Sequence, residues 1–480
     1  SGWRRFRAEG HSHMARILFV TPYFPPEVGA AQARISETAL RLVRRGHAVT
    51  ILTTLPNYPK GAVFPGYERG QRRREDWNGV RVIRVWSYIS PNKGFLRRIL
   101  SQLSFGLLAP FLAAGKLGRQ DVIIVESPPL FDAFAGRALR FLMRRPFIFI
   151  VADIWPESAV QLGALRNKAL IWLAERLEWS TYQRAALVWA VTEGIRKELV
   201  ARGLPERKVF RLTNGVDTEK FKPIPRDEAR ARLGWDDRYT VVYAGTVGLA
   251  QALEIMLNAA DALRETPGLR FVIAGEGAAK DELMAEARRR GLTSVEFLDA
   301  FPHAQMPTVL SAADALLVSL KKIPLFDGAI PSKLYEAMAA ERPTLLAVDG
   351  EARELVVRQA QAALFVEPEN GRALAAAIAW LREHPAEAQA LAARGRAFVQ
   401  ANFDRELLTD ALVGHVYTAM GRRAPKTPPP MPQPAAPFIP AAPQAPMAEP
   451  TPAHEPMLAE TQKRPAAQGM GHVGAAGTNE

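Results

Sequence analysis

The stretch Arg16-Ile-Leu-Phe-Val-Thr21, the Gly/Pro loop from Pro22 to Ala31, the segment Gln32 to Gly46 and the run His47 to Thr53 decide the fold. A short apolar run bounded by turn residues reads as a buried strand, and apolar residues at helical spacing closed by Gly46 read as an amphipathic helix. Together they predict a β-α-β unit. Outward from it, strands are predicted at Val80 to Val85, Asp121 to Val125, Phe147 to Val151, Leu187 to Val191 and Val209 to Leu212. Helices are predicted at Arg98 to Leu117, Leu130 to Arg144, Asn167 to Ala186 and Glu193 to Arg202. Such alternation predicts a doubly wound parallel sheet.

The same pattern restarts after Pro223-Ile-Pro225. Strands are predicted at Tyr239 to Ala244, Leu269 to Ala274, Val295 to Leu298, Ala315 to Ser319, Thr344 to Ala347 and Ala363 to Val366, each followed by a helical segment. The expected fold class is therefore α/β, with two Rossmann-like domains over residues 14–222 and 223–403 and a helix over 404–422. At 480 residues and 48% hydrophobic composition there is material for two cores. Residues 1–13 are polar and basic and read as an extension outside the fold. Residues 423–480, rich in Pro and Ala without periodicity, are predicted to be disordered because they offer too little apolar surface to offset ordering entropy.

The absence of cysteine excludes disulfides, thiolate metal sites and a catalytic thiol. No run of 18 apolar residues occurs, so no membrane-spanning helix is expected. The nearest candidate, Ile99 to Ala114, contains Pro110 and is flanked by Arg97, Arg98 and Lys116; it reads as an amphipathic or partly buried segment. The net charge of +13 is concentrated between Gly66 and Ile150, where 15 Lys/Arg face 6 acids. There the arginines alternate with Phe95, Leu96, Phe105, Leu142 and Met143, a mixture suited to an anionic lipid surface, with a solvated basic face as the equal alternative. No aromatic-rich basic repeat accompanies them, so a nucleic-acid partner is not expected.

Four segments could carry chemistry. Phe24-Pro-Pro-Glu-Val-Gly-Ala30 lies between the first strand and helix, where backbone N–H groups and a helix dipole can meet an anion. Leu212-Thr-Asn-Gly-Val-Asp-Thr-Glu-Lys-Phe221 carries an Asn-Gly turn, expected at positive φ and placed in the interdomain cleft. Tyr243-Ala-Gly-Thr-Val-Gly248 sits like a phosphate-binding turn, with Gly245 and Gly248 expected to free backbone amides; Gly275-Glu-Gly277 follows the next strand. The fourth is Asp327-Gly-Ala-Ile-Pro-Ser-Lys-Leu-Tyr-Glu-Ala-Met338, a loop running into a helix that begins near Pro331 or Ser332. Pro and Ser are ordinary residues at a helix start, but Lys333 in the first turn opposes the helix dipole. A bound diphosphate would reconcile the two, and Glu336 one turn on is suited to vicinal ribose hydroxyls.

These segments resemble the retaining glycosyltransferase family 4 with the GT-B fold, two facing Rossmann-like domains, over roughly residues 14–422. Asp153-Ile-Trp-Pro-Glu-Ser158 and Ile330-Pro-Ser-Lys333 are similar to bacterial enzymes that transfer fucosamine-type sugars in O-antigen and capsule assembly. The resemblance implies donor contacts at Gly29, Gly245, Gly275, Ser332, Lys333 and Glu336, with Asp153 and Glu336 as catalytic candidates. It implies transfer from a nucleoside diphosphate sugar, UDP-linked, to a lipid-linked or glycan acceptor in cell-surface polysaccharide synthesis. It further implies work in the cytoplasm at the inner membrane surface. No cofactor is expected, and the lack of any Asp-x-Asp sequence argues against a metal-clamped diphosphate.

The chain departs from the family pattern in three places. Gly328 stands eight residues before Glu336 where a second glutamate is usual, Thr246 and Gln251 occupy the places of a basic pair, and Ala152 replaces a histidine before Asp153. Lys333 is the expected substitute for the missing charge. A nucleotide-sugar epimerase of the same fold and a non-catalytic sugar-nucleotide binder remain as alternatives.

Overall fold

A computed structural model describes residues 14–424 apart from 28, 59–60, 69–72, 90–94 and 162–164. The expected N-terminal extension and nearly all of the expected disordered tail lie outside the described residues. The first half contains β1 (Arg16–Val20), α1 (Ala30–Arg44), β2 (Ala48–Thr54), β3 (Arg74–Trp77), β4 (Val80–Val85) and α2 (Phe95–Leu112). It continues with β5 (Val122–Val125), α3 (Asp132–Met143), β6 (Phe147–Val151), α4 (Glu157–Gln161), α5 (Lys168–Arg184), β7 (Leu187–Ala190), α6 (Glu193–Ala201) and β8 (Val209–Arg211).

The second half opens with α7 (Arg226–Leu233), β9 (Tyr239–Ala244), α8 (Glu254–Ala262), β10 (Leu269–Ala274), α9 (Lys280–Arg289) and β11 (Val295–Leu298). Then come α10 (Met306–Ser311), β12 (Ala315–Ser319), α11 (Ser332–Ala339), β13 (Thr344–Ala347), α12 (Glu351–Arg353) and β14 (Ala363–Phe365). Three helices close the described chain: α13 (Gly371–Glu383), α14 (Pro385–Asn402) and α15 (Arg405–Ala419).

The strands build an eight-stranded sheet in the order β3-β4-β2-β1-β5-β6-β7-β8 and a six-stranded sheet in the order β11-β10-β9-β12-β13-β14. All pairings are parallel except β3 with β4. β3 escapes sequence reading because its sequence, Arg-Glu-Asp-Trp, alternates between exposed and half-buried positions as a charged sheet edge does. The central strands Val-Ile-Ile-Val in β5 and Phe-Ile-Phe-Ile-Val in β6 are apolar throughout, and every residue of both is buried, as helices on both faces require. Strand order reverses between β1 and β5 and again between β9 and β12. Those two switch points open a crevice beyond the carboxyl ends of the strands, where ligands of such sheets bind.

Right-handed crossovers put α1 on one face of the first sheet and α2, α3 and α5 together on the other. The helix expected over Arg98 to Leu117 is α2, which runs through Pro110. The helical segment expected after the strand Tyr239 to Ala244 is a 3-10 turn at Leu249–Gln251 followed by α8. The final helix, α15, returns to pack on α1, and its Leu412, Val413 and Val416 join the core of the first sheet. The second sheet has its own core on each face. Among the described residues, no helix is long and apolar enough to cross a membrane.

Candidate active site

The turn after β9 is where the second sheet switches direction. Gly245 and Gly275, at the ends of adjacent strands β9 and β10, lie back to back: a Cβ on Gly275 would stand 1.8 Å from the Gly245 carbonyl oxygen. Both have positive φ, +140° and +148°. The expectation that Gly245 and Gly248 leave their amides free is corrected. Gly245 N donates to the Ala274 carbonyl at 2.9 Å and Gly248 N to Gln251 Oε1 at 3.1 Å. Gly275 N likewise donates to the Leu298 carbonyl at 3.1 Å. What these glycines supply is close approach of backbone to backbone, and room above Gly245.

That room is filled by Lys333. Pro331, not Ser332, occupies the N-cap of α11, and no side chain caps the helix, so Ser332 and Lys333 form an open first turn. From there Lys333 reaches across to the β9 turn. Its ammonium lies 3.9 Å from the centre of the Tyr243 ring and donates to the Tyr243 hydroxyl, which in turn donates to the Thr246 carbonyl at 2.6 Å. A Cβ on Gly245 would come within 2.9 Å of Lys333 Nζ. Lys333 is half-buried, yet its ammonium is crowded by protein, and that burial pushes it down to about 7, against the pull of Glu336. Among the described residues no carboxylate lies within ion-pair distance of it.

Glu336, one turn along α11 and half-buried, has His303 Nε2 3.8 Å from its Oε1. His303 Nδ1 is 2.6 Å from Lys220 Nζ. Sequence reasoning missed both partners; His303 follows β11 at the carboxyl edge of the sheet, a position that the switch-point rule marks out in hindsight. The structure thus brings Gly245, Gly275, Ser332, Lys333 and Glu336 to one edge.

Gly29 and Asp153 belong to the edge of the first sheet. Gly29 is exposed at the start of α1 with extended backbone and open space around it, so packing does not demand a glycine there. Asp153 follows β6; its side chain reaches solvent, but the surrounding protein crowds its carboxyl and pushes it up to about 6, against the pull of the Arg34 charge. Arg34 itself is committed. It donates to Glu126 Oε1 at 2.7 Å and Asn214 Oδ1 at 2.8 Å, and Glu126, fully buried, also accepts from Thr21 Oγ1 at 2.5 Å. Glu27 ties the loop after β1 to the loop after β2 by accepting from the amides of Asn57 and Tyr58 at 2.7 and 2.8 Å.

The Asn214-Gly215 turn differs from its expectation. Gly215 is not among the positive-φ glycines; a Cβ there would strike Leu408 Cδ1 at 2.4 Å and the Phe403 carbonyl oxygen at 2.5 Å. Close packing against the chain entering α15, not turn geometry, selects glycine. Across the crevice the two halves touch through Glu351, whose Oε1 and Oε2 accept from the amides of Glu193 and Gly194 at 2.7 and 2.6 Å. The carboxylate sits on the N-terminus of α6, where the dipole favours it.

Two family models match in succession, a glycosyl transferase 4-like domain over residues 29–215 and glycosyl transferases group 1 over residues 225–398. WcaI of Escherichia coli strain K12, which carries the name of a colanic acid biosynthesis glycosyl transferase, is 27% identical over 373 residues, 76% of this chain and 91% of that protein. Among solved structures, Anabaena HepE in complex with UDP-glucose matches with a TM-score of 0.63 at 18% identity, covering 84% of this chain and all (100%) of that one. The sucrose-phosphate synthase of Thermosynechococcus elongatus matches with a TM-score of 0.65 at 19% identity, covering 85% and 99%. Two parallel sheets with a crevice between their carboxyl edges, matched domain by domain, place the chain in the family 4-like glycosyltransferases of GT-B fold.

Proposed function

We propose that this glycosyltransferase moves a sugar, with retention of anomeric configuration, from a nucleoside diphosphate sugar to a lipid-linked glycan acceptor in cell-surface polysaccharide synthesis. The observation that carries the donor assignment is the Lys333 ammonium, held at the β9 switch-point turn by a neutral phenol and by no carboxylate. A diphosphate accepting from Lys333 and from the uncapped first turn of α11 would relieve a cation that opposes the helix dipole. Glu336 would accept from the ribose hydroxyls. Charge then builds on the departing diphosphate while an oxocarbenium-like centre forms, so fixed positive charge aimed at the leaving group supplies the main stabilisation. Lys333 meets that need without a metal, consistent with the lack of an Asp-x-Asp sequence.

HepE, crystallised with UDP-glucose, supports a UDP-linked donor, and WcaI supports a role in bacterial polysaccharide assembly. Asp153 stands on the acceptor side of the crevice. A lipid-linked acceptor would bring the first domain to the cytoplasmic face of the inner membrane as a peripheral protein. The test is donor binding by thermal shift across UDP-, GDP- and dTDP-sugars, followed by transfer assays on Lys333→Ala and Glu336→Ala. Stabilisation by UDP-sugars and loss of transfer in both variants are expected; undiminished transfer by both would overturn the donor site.

A further inference from the structure

We infer that the outer face of α2, α3 and α5 is a seat for an anionic lipid bilayer, into which Phe111 and Phe141 dip. This rests on the proposed reading of a lipid-linked acceptor and names the surface that meets the lipid. The three helices lie side by side, α2 on α3 and α3 on α5. A Cβ on Gly106 of α2 would stand 2.2 Å from the Phe131 carbonyl oxygen at the start of α3, so the helices cross in close contact.

On α2, Phe105 and Ala109 point inward and are buried, whereas Leu107, Leu108 and Phe111 point outward and are exposed. The expectation that Phe105 belongs to a lipid-facing set is therefore corrected. Phe111 is 66% exposed and Phe141, at the end of α3, 82%. Trp172 near the start of α5 is 57% exposed beneath the Arg176 guanidinium, 5.0 Å from its ring centre. Large apolar side chains exposed on three adjacent helices are more than the single ones scattered over an ordinary surface.

Charge chooses the occupant. α2 contains no acidic residue, the single acid of α3, Asp132, is buried, and of the two glutamates of α5 Glu178 is buried and only Glu175 is exposed. The apolar face is bordered by Arg97, Arg98, Arg140, Arg144 and Lys168, all exposed, and among the described residues Arg97, Arg98 and Arg144 form no ion pair. Large apolar side chains within a collar of unpaired arginines match an interfacial headgroup layer of negative charge. By topology α2 descends from the carboxyl edge of the first sheet, and the Arg98 charge reaches Tyr23 in the loop after β1, so the seat leads into the crevice.

The full chain should sediment with vesicles of phosphatidylethanolamine and phosphatidylglycerol and not with phosphatidylcholine. Phe111→Ser with Phe141→Ser should weaken that binding about tenfold or more, from the loss of two buried aromatic side chains. Arg144→Glu should weaken it at low salt and matter little at high salt. Brominated lipids should quench wild-type tryptophan emission more than that of Trp172→Phe. Unchanged vesicle binding by the double serine variant, or equal quenching with and without Trp172, would overturn the seat. So would a dimer in solution that the serine variant dissociates while vesicles are ignored. Nucleotide binding is measured on the same proteins: failure of every chain to bind UDP-sugars would sink the donor reading and leave the vesicle result standing.

Discussion

Arg34, in the helix after β1, and Lys333, in the helix after β12, hold similar posts, each at its own sheet's switch point, and their surroundings differ sharply. Both terminal nitrogens of Arg34 are engaged, by buried Glu126 and by Asn214. Lys333 has a phenol for its polar partner and an open helix turn beside it. A cation whose charge is already answered holds a fold together, whereas one left unanswered waits for an anion from outside.

The comparison breaks most readily at Arg34. Arg34→Ala would leave Glu126 buried without its counter-charge, and a loss of about 3 kcal/mol of stability is expected in urea denaturation. Lys333→Ala should leave stability unchanged or raise it, because a crowded charge is removed; if it destabilises as much as Arg34→Ala, the distinction is lost. The effect of Lys333→Ala belongs instead to ligand affinity. Calorimetry should show UDP binding weakened by about 1.5–3 kcal/mol, the range for hydrogen bonds to charged groups.

Proton linkage sharpens the same point. Burial holds the free ammonium at about 7, below its unfolded value, so the charge that binds diphosphate is present below pH 7 and lost above it. UDP affinity should fall roughly tenfold per pH unit above 7, until the raised value of the complex is passed, and this slope should vanish in Lys333→Ala. Without ligand the buried ammonium costs stability, fully below pH 7, and because the unfolded chain keeps its proton longer that cost is relieved as pH rises from about 7 to the unfolded range. The smallest effect is expected at Glu351. Glu351→Gln keeps the hydrogen bond from one of the Glu193 and Gly194 amides and loses the other together with the charge, because a side-chain amide nitrogen cannot accept, costing about 1 kcal/mol. Scattering should then report a small increase in radius of gyration as the crevice opens more readily.

Much of the fold was legible because parallel strands buried on both faces announce themselves as unbroken apolar runs. β12 and β13 coincide with their predicted limits for this reason, and β9, β10 and the half-buried edge strand β11 do so too although Thr240, Arg270 and Glu296 interrupt their apolar runs. β3 did not, since charged edge strands carry no such signal, and neither did α4, a single short turn behind Pro156. Lys333 and Glu336 were legible as residues at odds with, or one turn beyond, a helix start. Their partners Tyr243 and His303 were not, because contacts between residues about 30 to 90 positions apart depend on the folded sheet. Arg34, Arg41 and Arg45 share one face of α1 by spacing alone, yet Glu126, Asp217 and Asp410 could not be matched to them without the fold.

The return of α15 to the first domain has a mechanical consequence. The chain passes between the domains twice, once after β8 and once after α14, and the two passages are stitched together where Val216 N donates to the Phe403 carbonyl and Arg405 N to the Val216 carbonyl, both at 3.0 Å. A body hung on two cords knotted at one point swings like a door on a short pintle: it can open and shut, but it resists sliding and free tumbling. Each turnover would then repeat one stroke along one arc, and cutting the chain before α15 would replace that arc with a loose tether.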